Sequence, residues 1–157
     1  MTRQQFTASV ESSQQAFRRF LVALCCGDAA LADDIAQEAY IKAYVGLDSL
    51  RDGSRFESWL YRIGYNTFVS QRRSLRPMAE YTEALAVDGG VDADAAFRYE
   101  SLYRALNMLP DKERTSVLLF YMENYSVKDI AEFEGTNEGA VRQHLSRGRR
   151  HLQNLLK

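Results

Sequence analysis

Hydrophobic residues recur at steps of three and four along most of this chain, which is the spacing of one face of an α-helix. The pattern predicts an all-α protein whose apolar helix faces are large enough to form cores. Glycines, prolines and polar turns interrupt it and divide the chain into successive helices, with a polar loop predicted over residues 49–55. These are predicted over residues 3–25, 29–48, 56–75, 95–108 and 112–123, with two more within 126–156.

The last thirty residues predict two helices joined by a tight turn. Ser126 and Asp129 have the spacing of a capping box at a helix start. Gly135, Thr136 and Asn137 then supply turn chemistry and the next N-cap. The second helix carries one stripe of apolar or small residues, Val141, Leu145, Gly148, Leu152 and Leu155. A short capped helix followed by an amphipathic one is typical of a helix-turn-helix.

The other side of that second helix is basic. Residues 140–157 include five basic residues and no acidic one. A positively charged helix at this place in a helix-turn-helix favours DNA binding, with the helix in a major groove. The alternative is a helical hairpin whose charged face is simply solvated, and these residues by themselves leave it open.

The helix predicted over 29–48 has an ordinary core face and an unusual opposite face. The core face comprises Leu31, Ile35, Ala36, Ala39, Ala43 and Leu47. The opposite face comprises Asp34, Gln37, Ile41, Tyr44 and Val45. Apolar side chains rimmed by polar ones favour a docking surface for another protein. The alternative is that a neighbouring helix of the same domain covers them.

The helix predicted over 56–75 combines a core face with a face of arginines and aromatic residues. The core face comprises Phe56, Leu60, Ile63, Gly64 and Thr67. The second stripe comprises Trp59, Arg62, Asn66, Val69 and Arg73, flanked by Tyr65 and Arg72. Arginines and aromatic rings suit phosphates and unstacked bases, and an asparagine can pair with a base edge. The competing interpretation of Trp59 is a core anchor.

Charge is distributed unevenly behind a net value of −1. Residues 1–76 hold ten basic and eight acidic residues, 77–101 hold one and six, and 102–157 hold nine and seven. Residues 77–93 also lack helical periodicity, so we expect two small helical domains, 1–76 and 94–157, joined by a flexible acidic linker. A linker of this length spans at most about 60 Å, which would let the domains bind separated DNA sites.

Other classes of function are disfavoured. The two cysteines are adjacent, which is neither a redox nor a zinc spacing, and His144 and His151 have no third ligand nearby. Asp34 and Glu38 lie one turn apart without the further carboxylates that a two-metal site needs. We expect no metal, no cofactor and no enzymatic activity. The chain has no apolar run long enough for a membrane span and no recognisable signal peptide, so we expect no membrane insertion and a cytoplasmic location.

Three segments carry a family resemblance. Residues 34–40 have the pattern D-x-x-Q-x-x-aromatic, and residues 54–66 include the run F-x-x-W-L-Y-R-I. The third segment has L-P-x-x-x-R at 109–114, continues through 126–131 and ends with 139–149. In this order, with this linker, they resemble a bacterial RNA polymerase sigma factor of the extracytoplasmic-function group, the minimal two-domain type.

The resemblance implies an initiation factor that binds core RNA polymerase and promoter DNA, duplex at the −35 element and melted at the −10 element. An anti-sigma factor is a further partner that it implies. It assigns core-polymerase binding to Asp34, Gln37, Glu38, Ile41 and Tyr44. It assigns −10 DNA binding to Ser54, Arg55, Trp59, Arg62, Asn66, Arg72 and Arg73. It assigns −35 DNA binding to Arg142, Gln143, Ser146, Arg147 and Arg150.

The last helix departs from the family pattern. Ala140 stands where threonine is usual, and Gln143 with His144 replaces a small residue followed by arginine. Gly148 replaces alanine at a cost of about 1 kcal/mol inside a helix, for which close helix packing would compensate. Two alternatives to initiation remain. One is a stand-alone helix-turn-helix regulator that binds duplex DNA as a dimer, and the other is a sigma-like adaptor that binds only protein.

Overall fold

The chain forms seven α-helices in the residues that the computed structural model describes, which are 1–74 and 93–156 without the side chains of 73, 74 and 93–99. The helices are α1 (Arg3–Leu24), α2 (Ala29–Val45), α3 (Phe56–Ser74), α4 (Ala93–Asn107), α5 (Asp111–Val117), α6 (Val127–Glu134) and α7 (Glu138–Leu155). These described ranges contain no strand, so the predicted all-α class is confirmed.

The chain divides into two compact units. The first comprises Met1–Val22 and Ala29–Tyr81, and the second comprises Ala23–Asp28 and Thr82–Lys157. The predicted linker over 77–93 lies outside the described residues except for residue 93, at which α4 begins. The domain boundaries at 76 and 94 therefore stay a prediction.

The end of α1 is set by backbone conformation. Cys26 and Gly27 follow the helix with φ values of 55° and 93°, in the left-handed region that no right-handed helix can contain. The amide of Cys26 donates to the carbonyl of Ala23 (3.0 Å) and the amide of Asp28 to that of Cys25 (3.2 Å), which closes a tight turn. α2 can then begin at Ala29.

The first unit is built on aromatic and small residues of α1, α2 and α3. Tyr61 is fully buried between two rings of α1, with centroid distances of 5.4 Å to Phe17 and 5.0 Å to Phe20. α2 contributes mainly alanines, which allow the neighbouring helices to approach closely. Its buried residues are Ala32, Ile35, Ala36, Ala39 and Ala43, whereas the predicted core residues Leu31 and Leu47 are only half-buried.

Gly64 lets α3 contact α1. A Cβ at this position would lie 2.7 Å from Cε1 and Cζ of the Phe17 ring, well inside van der Waals contact. The remaining predicted core residues of α3 are buried as expected, except that Ile63 is half-buried. The core face of α3 is therefore Phe56, Leu60, Tyr61, Gly64, Thr67 and Phe68.

The second unit contains the predicted helix-turn-helix, formed by α6 and α7. The Ser126 hydroxyl oxygen accepts from the Asp129 amide (3.0 Å), as a capping box requires at a helix start. α6 ends in a Schellman motif, in which Gly135 has φ of 69° and the Thr136 amide donates to the Ala131 carbonyl (2.9 Å). Asn137 then caps α7 by accepting from the Ala140 amide (2.8 Å).

A wide turn follows α5. Leu118–Met122 form a π turn, and the Glu123 amide donates five residues back to the Leu118 carbonyl (3.3 Å). The extra residue in the turn shifts the helix phase. Leu119 is therefore buried, whereas Tyr121 is 54% exposed and its hydroxyl accepts from Nη1 of Arg149 on α7 (3.1 Å).

Candidate nucleic-acid and partner interfaces

The predicted docking face of α2 is exposed. Ile41, Tyr44 and Val45 expose 65%, 43% and 78% of their surface, although the Tyr44 ring also packs against Phe6 of α1. Asp34 and Gln37 are also exposed, about two turns and one turn before Ile41 respectively. We call these five residues the docking surface. Large apolar side chains rimmed by polar ones are typical of a protein interface.

Glu38 has a different environment from the docking surface. It is half-buried, and its Oε2 accepts from Nε2 of Gln71 on α3 (3.0 Å). Lys42, one turn later, donates to Oγ1 of Thr67 (3.2 Å). The two polar residues on this side of α2 thus join α2 to α3.

The segment before α3 is more ordered than the predicted polar loop. It contains two 3₁₀ turns, Leu47–Ser49 and Gly53–Arg55. Oδ1 of Asp52 accepts from both the Ser54 amide (3.0 Å) and the Ser54 hydroxyl (2.7 Å). These two bonds lower the pKa of the Asp52 carboxyl. Ser54, a predicted −10 residue, is exposed, but its hydroxyl donates a hydrogen bond to Asp52.

The predicted base-reading residues of α3 share one side of the helix. Arg62 and Asn66 are exposed, and Trp59 is half-buried, so it is more accessible than a core anchor would be. Arg72 is half-buried, with its guanidinium carbon 5.5 Å from the Phe68 ring centroid. Arg55, at the end of the second 3₁₀ turn, is exposed, while the side chain of Arg73 lies outside the described residues.

The outer face of α7 carries all five residues predicted to bind −35 DNA. Arg142, Gln143, Ser146, Arg147 and Arg150 are exposed. Arg142 Nη2 also donates to Oε1 of Glu138 one turn earlier (3.2 Å), an exposed pair that is easily exchanged for a phosphate. A face of this chemistry suits contact with the edges of bases and with the DNA backbone.

The inner face of α7 is held against α5 and α6. Val141 and Leu145 are buried, whereas Leu155, predicted on the same stripe, is 46% exposed. Gly148 is buried, and a Cβ there would lie 2.8 Å from Cγ2 of Val117. The predicted close packing at this glycine is therefore confirmed.

Two histidines of α7 face carboxylates that sequence reasoning did not pair with them. His151 Nδ1 lies 2.7 Å from Oε1 of Glu113, and His144 Nδ1 lies 3.5 Å from Oε1 of Glu134. The partners lie 38 and 10 residues away in sequence, so no local spacing signals them. Both histidines help to fix the orientation of α7 on the helices beneath it.

Glu134 is an unusual buried carboxylate at the helix-turn-helix junction. Its side chain is 1% exposed, and Oε2 accepts from the Ser116 hydroxyl (2.6 Å). Burial raises the pKa of Glu134, while the Ser116 bond and the nearby His144 and Lys112 oppose that rise. Polar groups of α5 and α7 thus lie close to this carboxyl of α6.

Within the described ranges, no three His, Cys, Asp or Glu side chains converge in a way that could hold a metal ion. Among the described helices, none combines the length and the apolar character that a bilayer crossing requires.

The sequence matches two families in the order of the two units. Residues 10–77 match the family described as Sigma-70 region 2, and residues 99–152 match the family described as Sigma-70, region 4. The first match contains the docking surface and α3, and the second contains the helix-turn-helix.

Curated relatives are similar along most of the chain. The ECF RNA polymerase sigma factor SigW of Bacillus subtilis is 33% identical over 142 residues, which cover 80% of this chain and 75% of that protein. EcfG of Rhodopseudomonas palustris, also an ECF RNA polymerase sigma factor, is 32% identical over 88% of this chain and 78% of its own length. The ECF RNA polymerase sigma-E factor of Escherichia coli K12 is 30% identical over 77% and 71%.

Solved structures share the fold. The sigma factor RpoE of Bartonella quintana, solved in complex with the anti-sigma factor NepR, has a TM-score of 0.75 and 28% identity, with 96% of each chain covered. CnrH, solved in complex with the cytosolic domain of CnrY, has a TM-score of 0.75 at 22% identity.

Proposed function

This chain belongs to the ECF RNA polymerase sigma factors, and we propose that its two units divide promoter recognition between them. The protein is a transcription initiation factor that binds core RNA polymerase and directs it to promoter DNA. In the proposed division, the domain over 1–76 binds core polymerase and the melted −10 element. The domain over 94–157 binds the −35 element as duplex, and an acidic linker over 77–93 joins the two.

This proposal rests mainly on the exposure of the docking surface. Ile41 and Val45 are among the most exposed large apolar side chains of the described chain, yet the opposite face of their helix is largely buried. Burial of such exposed apolar surface against a partner removes it from water, which makes the free energy of binding more favourable. We assign the surface to core polymerase, with Asp34 and Gln37 as its polar rim.

The DNA-binding residues follow from the exposed faces of α3 and α7. We assign Trp59, Arg62 and Asn66 to the unpaired −10 strand, because stacking and phosphate contacts are the ordinary means of holding single strands. Arg55, Arg72 and Arg73 would add positive charge next to the phosphates of the same DNA strand. Ser54 would lie at the edge of this DNA-binding surface. On α7, Arg142, Gln143, Ser146, Arg147 and Arg150 would read or position the −35 duplex.

Three further properties belong to the same proposal. The chain acts without enzymatic activity of its own, because nucleotide addition belongs to the polymerase it recruits. Its place of action is the cytoplasm, where polymerase and promoter are found. An anti-sigma factor is an expected partner, since RpoE of Bartonella quintana, similar to this chain over 96% of its length, was solved bound to one.

The docking assignment is tested by charge inserted into the apolar surface. Gln37→Ala combined with Ile41→Asp should weaken binding to purified core polymerase by about tenfold or more, because a buried apolar contact is replaced with a desolvated carboxylate. Ala8→Asp is the matched control, since Ala8 is exposed on α1 and receives the same charge. Unchanged helicity of both proteins by circular dichroism, with normal holoenzyme formation by the double variant, would contradict the assignment.

A further inference from the structure

A chain of aromatic rings joins the docking surface to Trp59 inside the first unit. The Tyr44 ring lies 5.4 Å from Phe6, centroid to centroid, at an interplanar angle of 69°. Phe6 lies 5.7 Å from Phe56 at 86°, and Phe56 lies 6.0 Å from Trp59 at 54°. Each distance and angle falls in the range in which aromatic pairs attract each other beyond their burial. The chain thus runs from α2 through α1 to α3.

The rings in the middle of this chain are held in place. Phe56 is the first residue of α3 and is 4% exposed, and Phe6 is half-buried against it. Arg3 fixes the outer end, because its Nε donates to the Tyr44 hydroxyl (2.9 Å) and its guanidinium carbon lies 5.9 Å from the centre of that ring. A displacement of Tyr44 would therefore act on Phe6 and could not be absorbed by a loose side chain.

A second contact brings the end of α2 close to the same tryptophan. A Cβ placed on Gly46, the residue after α2, would lie 3.9 Å from Cζ2 of Trp59 and 3.2 Å from the Lys42 carbonyl oxygen. The last turn of α2 and the first turn of α3 are thus adjacent both directly and through Phe6. The exposed part of Trp59 is continuous with a packed cluster that ends on the docking surface.

We propose that Phe6 is a positioning residue that couples the docking surface to Trp59, so that polymerase binding and base stacking strengthen each other. The inference rests on the proposed function, since it takes polymerase as the occupant of the docking surface and an unpaired base as the ligand of Trp59. Coupling between two sites is reciprocal: if docking improves stacking by some factor, a stacked base improves docking by the same factor.

The test is a double-mutant cycle in the holoenzyme. Single-stranded non-template promoter DNA is bound to core polymerase saturated with each variant. In the otherwise unaltered protein, Trp59→Ala should weaken binding about tenfold, the usual scale for loss of one stacked base. In the Phe6→Leu background the same substitution should weaken it about threefold or less, because the tryptophan is no longer held in its stacking position.

Affinity for core polymerase is the second readout. Phe6→Leu should lower the affinity for core polymerase about threefold, and Tyr44→Leu should lower it at least as much. Phe6→Tyr keeps the aromatic ring, so both readouts should stay close to those of the unaltered chain. Val10→Ala, one turn further along α1 and also half-buried, controls for simple loss of packing and should change neither. If Phe6→Leu fails to fold, Tyr44→Leu replaces it in the cycle, since Tyr44 is largely exposed.

The outcomes separate the coupling from the function beneath it. If Trp59→Ala weakened DNA binding equally in both backgrounds, the coupling would be overturned. It would also be overturned if Phe6→Leu lowered the midpoint of thermal unfolding but left both readouts unchanged. Absence of any Trp59→Ala effect in the otherwise unaltered holoenzyme would remove the proposed role of Trp59, and the coupling with it.

Discussion

Gly148 determines how closely α7 packs against α5. A Cβ there would lie 2.8 Å from Cγ2 of Val117 and 3.5 Å from the Glu113 carbonyl oxygen. Forcing an extra carbon into a packed contact costs about 1–3 kcal/mol, whereas exchanging a helical glycine for alanine gains about 1 kcal/mol. The steric effect dominates, because Val117 is itself buried and has little space to move into.

We therefore expect Gly148→Ala to lower the free energy of unfolding by about 1 kcal/mol in urea denaturation of the full chain. Val117→Ala in the same protein should offset part of that loss, because it removes the γ carbons that the new Cβ would meet. Asn154→Ala, on the exposed part of α7, is the matched control and should be neutral or slightly stabilising. A Gly148→Ala protein more stable than the unaltered chain would show that this contact does not limit the packing.

Residue-level predictions succeeded where the cause is local. The caps at Ser126 and Asn137 and the left-handed Gly135 depend only on neighbours within a few positions, and all three are confirmed. The π turn after α5 was not predicted, because hydrophobic periodicity contains no signal for its extra residue. Tyr61 was not placed in the core because its hydroxyl suggests a polar position, although its ring is stacked on Phe20.

At the level of elements, the two ends of α7 should make different contributions to DNA binding. The N-terminal part of a recognition helix usually contacts base edges, and more distal basic residues contact phosphates. Gln143 lies near the start of α7 and Arg150 lies two turns later, and both are exposed. A base contact is specific for sequence, whereas a phosphate contact depends on salt.

Gln143→Ala should therefore weaken binding to the preferred −35 sequence by about 1–3 kcal/mol. It should have little effect on binding to promoters in which the contacted −35 base is already replaced. Arg150→Ala should weaken all promoters alike and reduce the slope of log affinity against log salt by about 0.9. Each variant is the control for the other in holoenzyme titrations at several salt concentrations. Identical effects on sequence preference and salt slope would show that the two residues are not divided between bases and phosphates.

Helix faces were more predictable than the segments between helices. The exposed face of α2 could be predicted because the other face is an apolar stripe that must be buried. Its role in docking stays a prediction. The segment before α3 was predicted only as a polar loop, yet it forms two 3₁₀ turns held in part by Asp52. Such turns depend on individual side-chain hydrogen bonds, which periodicity does not reveal.

For the whole molecule, charge distribution supports the division of function. The halves 1–76 and 102–157 each have two more basic than acidic residues, while 77–101 have five more acidic than basic ones. A net charge of −1 would argue against a DNA-binding protein if the charge were evenly spread. Because acidic residues are concentrated between the halves, residues 58–76 and 140–157, which include most of α3 and α7, contain basic residues and no acidic one.

In the function that we propose, this one chain directs polymerase to a promoter of two elements. The most direct measurement is transcription from a library of randomised promoter templates by purified core polymerase, with and without the protein. We expect transcripts that depend on the protein and share two conserved motifs upstream of their start sites, at spacings typical of −10 and −35 elements. Binding to core polymerase without any such transcripts, or binding to DNA without core polymerase, would contradict the claim and favour an adaptor or a stand-alone regulator respectively.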